Sequence, residues 1–107
     1  MKSLALALAL AGAAGLVRAA DMEAGRKLVE SNCASCHGKD GKTPTDASYP
    51  IIAGQHSDYL YKALVDYQTG ARKNAIMGAM AKPLSKVDMQ NVSAYFASLP
   101  GPLTTRK

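Results

Sequence analysis

Apolar residues return at three- and four-residue intervals in three stretches of the chain, and each stretch carries the end signals of a helix. The first runs from about Met22 to Asn32. Gly25, Leu28, Val29 and Asn32 share one face, Asp21 is placed to cap the start, and Glu23 lies in the first turn. The second runs from about Asp58 to Thr69, with Leu60, Leu64 and Tyr67 as its stripe, Ser57 as the expected cap and Gly70 where a left-handed residue is wanted. The third runs from about Lys86 to Leu99. Met89, Val92, Phe96 and Leu99 form its stripe, Ser85 with Asp88 resembles a capping box, and Pro100-Gly101 ends it. Between them lie two long loops, Gly38 to His56 and Ala71 to Leu84. Loops of this length in a small domain have a function or wrap around something. No alternating strand pattern is present, so the expected class is all-α.

One further apolar run obeys a different logic. Residues Leu4 to Val17 (LALALALAGAAGLV) are unbroken in hydrophobicity, follow Lys2, and lead into Val17-Arg18-Ala19. This is the layout of a secretory signal peptide. The run holds 14 residues, short of the ~20 that span a bilayer as a helix. The expectation is a signal peptide over 1–19, a single domain over 20–107, and no membrane span once the leader is removed.

Composition sharpens the problem. The chain has no Trp and one Phe, Phe96. A domain so small lies near the lower limit for a self-sufficient core, and small exported domains add disulfides or a bound group. With Lys2 and Arg18 in the leader, 11 basic residues face 8 acidic ones, a net +3. That balance is modest, and without a basic stripe interleaved with aromatics it gives no support to nucleic-acid binding.

The missing group is pointed to by Cys33-Ala34-Ser35-Cys36-His37, which contains both cysteines of the chain. A disulfide here would close a tiny loop and remove little chain entropy. A thioredoxin-like pair needs a strand before it, and zinc needs four ligands, of which only His56 could be added without carboxylates. The pattern is instead the c-type haem attachment signature. Two thiols within one helical turn can each add to a haem vinyl group, and the adjacent His37 can ligate the iron from the proximal side. The haem, haem c, would supply the apolar surface that the chain lacks.

From Gly25 onward the chain resembles the class I c-type cytochromes, and most closely a single domain of the two-haem cytochromes c of the c-four type. The resemblance rests on Gly25 eight residues before Cys33, the motif, "YPIIAGQ" at 49–55, "YQTGARKN" at 67–74, "IMGAMAKPLS" at 76–85 and "AYFASLP" at 94–100. It implies a small all-α fold of three main helices and loops wrapped around one covalently bound haem. It implies that Gly25 and Tyr95 meet where the first and last helices cross. The Pro50 carbonyl should accept a hydrogen bond from His37, orienting the ring and raising its basicity. A methionine before the last helix should complete the iron's coordination. The register assigns that role to Met77, with Met80 as the alternative and otherwise haem-edge packing. His56 is a weaker distal candidate. Arg72 and Asn74 are candidate contacts to a haem propionate, the alternative being solvated loop polarity. Tyr49, Tyr59, Tyr61 and Tyr67 read mostly as packing, the alternative for Tyr67 being a hydroxyl near a propionate or the methionine sulfur, and Met22 and Met89 read as core.

The function implied is that of a periplasmic single-electron carrier, not an enzyme. Lys39, Lys42, Lys73, Lys82 and Lys86 fall in segments expected around the haem edge. They would favour redox partners with acidic docking surfaces, such as terminal oxidases or dehydrogenases. The rival readings are an electron-accepting subunit of a dehydrogenase complex, and a haem peroxidase or gas sensor with an open sixth site.

Overall fold

The computed structural model describes residues 19–104. The expected leader therefore lies outside the described residues, apart from Ala19. All regular structure among the described residues is helical: α1 (Met22–Leu28), a π-helical turn (Val29–Cys33), α2 (Ala34–His37), α3 (Ser57–Thr69), α4 (Ala75–Ala81) and α5 (Lys86–Ser98). None of these helices is long and apolar enough to cross a membrane.

The first and last helices form the clasp of the fold. Asp21 Oδ1 accepts from the Ala24 N–H at 3.0 Å, and the Asp21 N–H donates to Oδ1 of buried Asn91 at 2.8 Å. Gly25 sits on α5 itself. A Cβ there would lie 2.3 Å from the Asn91 carbonyl oxygen and 3.1 Å from Tyr95 Cβ. Only a hydrogen in place of a side chain lets the backbones approach so closely. Val29, Leu60, Val92 and Phe96 form the buried core, with Leu28, Cys33, Ile52, Leu64, Tyr95 and Leu99 packed against it. Met89 belongs to this interior, but Met22 is 42% exposed and does not. It is the first residue of α1, where the helix meets solvent.

Several end signals work as expected. Ser85 and Asp88 make a full capping box at α5, and Gly70 closes α3 with φ +86°. Ser57 is not the cap of α3: His56 holds that place, without a side-chain hydrogen bond, and Ser57 is the first helical residue. The expected first helix does not stop at Asn32. It passes through the π turn into α2 and carries the helical backbone to His37. The segment from Ala71 to Leu84 is not all loop either. Asn74 Oδ1 accepts from the Met77 N–H at 2.9 Å and starts α4, which packs on α3.

Candidate haem site

A cleft of about 210 Å³ opens between α3, α5, the end of α2 and the loop after it. Its walls are mainly apolar, from Ile52, Leu60, Leu64, Val92 and Phe96. Cys33, His37, Pro50 and Met77 all reach it. Residues far apart in sequence thus converge on one cavity.

His37 is 7% exposed and ends α2. Gly38, at φ +83°, turns the chain away directly after it, and a Cβ there would meet the Thr43 carbonyl at 2.5 Å. His37 Nδ1 lies 2.9 Å from the Pro50 carbonyl oxygen. A carbonyl can only accept, so Nδ1 carries the proton. In the neutral ring the lone pair is then on Nε2, the nitrogen free to ligate.

The loop that brings Pro50 into place is held by its own backbone and side chains. The Thr45 N–H donates to the Cys36 carbonyl at 2.9 Å, and Thr45 Oγ1 donates to the Ser35 carbonyl at 3.0 Å. Asp40 Oδ1 accepts from the Lys42 and Thr43 N–H groups at 3.0 and 2.9 Å. These bonds hold the Asp40 carboxyl below its usual range, the Lys42 amide contributing most. The Gly41 carbonyl accepts from both Ile52 and Ala53.

As a free thiol, Cys33 is pushed up to about 11, chiefly by burial and then by the neighbouring Cys36. A thiol serving disulfide exchange has its pKa lowered instead. Nor does any group of three or more His, Cys, Asp or Glu among the described residues form a metal cage. The cleft suits a largely apolar prosthetic group better than either. It also contains a buried hydroxyl, Ser93 Oγ, without a hydrogen-bond partner in the protein. A group with an apolar body and some polar atoms fits such walls, and haem has both.

The cytochrome c family model matches residues 22–100. The chain belongs to the cytochrome c family. As in that family, its prosthetic group is covalently attached haem c. Cytochrome c4 of Stutzerimonas stutzeri is 39% identical over 100 residues, covering 84% of this chain and 47% of that protein. The thiosulfate dehydrogenase electron acceptor of Thiomonas intermedia is 38% identical over 80 residues, covering 70% of this chain and 37% of that protein. The crystal structure of reduced recombinant cytochrome c4 from Pseudomonas stutzeri superimposes with a TM-score of 0.70 at 38% identity, covering 78% of this chain and 47% of that one. The chain spans half or less of the length of these relatives. The class I cytochrome c fold expected from the motifs is the fold observed.

The other expected site residues divide. Met77 lines the cleft and also a small apolar void shared with Met80, Leu28, Asn32 and Cys33. Met80 lines only that void and is 38% exposed. Arg72 lines the cleft, with its guanidinium 4.9 Å from the centre of the Tyr67 ring. Interactions with Tyr59 and then Tyr67 raise its pKa further above the ordinary arginine value. Asn74 is not in the cleft: its side-chain oxygen is used as the cap of α4. His56 is exposed and precedes α3, outside the cleft wall. The residue that sequence reasoning missed is Gln68. It lies four positions after Leu64 and so continues the apolar stripe of α3 toward α4.

Proposed function

We propose that the chain is an exported single-electron carrier whose haem c is joined to Cys33 and Cys36 and ligated by His37 and Met77. The observation that carries this reading is the cleft, into which α2 and α4 bring one imidazole and one thioether. The bound haem supplies a one-electron ferric/ferrous couple. The chain's residues set its environment. Pro50 holds the proton on His37 Nδ1 and keeps Nε2 a basic ligand. The Met77 thioether is soft and favours ferrous iron. Leu60, Leu64, Val92 and Phe96 exclude water from the cleft. Arg72 remains the candidate propionate contact, while Asn74 acts through the helix that holds Met77.

With His37 and Met77 both lining the cleft, a haem held there would have two side chains available as ligands, which supports a carrier over a peroxidase or gas sensor. The leader over residues 1–19 supports a periplasmic location. Lys73 and Lys82, both exposed, border an open depression beside the cleft together with Arg72. This supports docking to acidic redox partners such as terminal oxidases or dehydrogenases. A second reading, an electron-accepting subunit of a dehydrogenase complex, is favoured by one relative's name, thiosulfate dehydrogenase electron acceptor. A persistent complex in size exclusion of the native protein would select it.

The deciding experiment is spectroscopic. Met77→Ala should abolish the weak near-infrared band of a Met-ligated ferric haem, lower the potential and admit carbon monoxide readily to the reduced protein. Met80→Ala should do none of these. The reverse pattern would transfer the ligand role to Met80, and ready carbon monoxide binding by the unmodified protein would favour the sensor.

A further inference from the structure

We infer that Gln68 is the positioning residue of the distal side: its side-chain amide ties the rear of the Met77-bearing helix to α3 and so keeps the thioether at the cleft. This rests on Met77 being the distal ligand.

Helix α4 has seven residues. A helix that short does not persist by itself in water. It also ends with carbonyl groups that have no partner within the helix. The Leu84 N–H donates to one of them, that of Ala81, at 3.0 Å, and Gln68 adds a side-chain donor that reaches both this carbonyl and the chain just after the helix. Its Nε2 lies 2.7 Å from the Leu84 carbonyl oxygen and 3.0 Å from that of Ala81, with the Lys82 carbonyl at 3.4 Å. All three partners are acceptors, so only the NH₂ end of the amide can face them. The two protons of that group serve the two nearer carbonyls, and the third contact is at the limit of hydrogen bonding.

The geometry of the two elements gives these bonds their consequence. Leu64 lines the cleft, and Gln68 lies one turn further along the same side of α3. Ala81, whose carbonyl it holds, is fully buried. At the other end of α4 the Asn74 side chain accepts from the amide of Met77 itself. Met77 is therefore held between two side-chain amides, one at the front of its helix and one at the rear. Asn74 only starts the helix. Gln68 is the side chain that fastens it to the wall of the cleft.

The experiment uses the haem-loaded protein with Gln68→Met, which keeps length and helix preference but has no donors, and with Gln68→Glu. The readouts are carbon monoxide combination with the reduced protein and the near-infrared band of the ferric protein across pH. In Gln68→Met, carbon monoxide should combine about tenfold faster, a change equivalent to about 1.4 kcal/mol in holding Met77. In Gln68→Glu the carboxylate faces carbonyl oxygens, which oppose its ionised form and raise its pKa. The near-infrared band should be weak at neutral pH. It should recover as pH falls through that raised pKa, because the protonated acid regains one donor. The unmodified protein should show no such recovery. If both variants lose only thermal stability while their bands and carbon monoxide rates match the unmodified protein, Gln68 is merely structural and the inference falls. If Met77→Ala keeps its near-infrared band, the ligand assignment itself fails, a result separate from any behaviour at position 68. Should Gln68→Met not load haem, the presence or absence of acid recovery in Gln68→Glu decides alone.

Discussion

The two sides of the cleft are built on opposite plans. On the proximal side, the motif, His37, the turn at Gly38 and the loop to Pro50 are continuous in sequence and are tied to one another by backbone and side-chain bonds. On the distal side, Met77 rides on a seven-residue helix fastened by one cap and by Gln68. On the proposed assignment, His37 is a ligand next to its own covalent anchors and needs only orientation. A ligand with no anchor of its own needs a scaffold, and here the scaffold is a short helix packed on α3 and a few hydrogen bonds. The proximal side should therefore fail as a whole, and the distal side should fail locally.

The most severe break of this contrast is on the proximal side. Cys33→Ala together with Cys36→Ala should leave a chain with little helical circular dichroism, since the core is completed by the bound group. Haem that stays with the unmodified polypeptide through acidified-acetone extraction would confirm the covalent anchors. Next comes the clasp that supports both sides. Gly25→Ala places a Cβ 2.3 Å from a backbone oxygen, and should cost about 3 kcal/mol and lower the melting temperature by roughly 10 °C or more. An unchanged melt would mean that the crossing of α1 and α5 is more pliable than its geometry indicates.

A smaller test concerns the proximal loop. The Asp40 carboxyl has a lower pKa folded than unfolded. Its contribution to stability is therefore present above the ordinary Asp value of ~3.9 and is lost as pH falls through the depressed folded value. Asp40→Asn should flatten the acid limb of thermal stability while leaving the near-infrared band in place. Loss of the band would show that the two sides are coupled more tightly than their separate construction implies. The smallest effect on the iron should come from the distal rim. Lys73→Glu with Lys82→Glu should slow electron transfer to an acidic partner and weaken its dependence on ionic strength. The potential should move little, because exposed charges act through solvent, with a Debye length of ~10 Å at 0.1 M. A rate indifferent to both salt and substitution would make docking apolar.

The same contrast explains what could be read in advance. The proximal side is legible because its chemistry is contiguous: Cys33, Cys36 and His37 announce the cofactor together, just as, elsewhere in the chain, Ser85 with Asp88 announces α5 within four residues. The distal side is not. Gly78 interrupts the apolar pattern of a helix only seven residues long, so α4 reads as loop. The sequence offers Asn74 as a propionate contact because a polar loop residue beside a cofactor invites that role, and no helix pattern there shows that its oxygen caps α4. Gln68 has its partners 13 to 16 positions away, and no local pattern predicts them. Ser57 was misplaced by one residue, the ordinary uncertainty of a helix end.

The clasp between Asp21, Gly25 and Asn91 also fixes an order of events. Its hydrogen bond joins positions 70 residues apart. The helical stretch from Met22 to His37 is marginal alone in water until it meets α5. During synthesis, then, the segment that carries both cysteines emerges early and waits, its sulfurs accessible, while the rest of the chain is made. Of the described helices, the latest to be made is the one that closes the fold. Whatever chemistry must reach Cys33 and Cys36 has its opening in that interval, before the final turn of α5 arrives to bury the core around them.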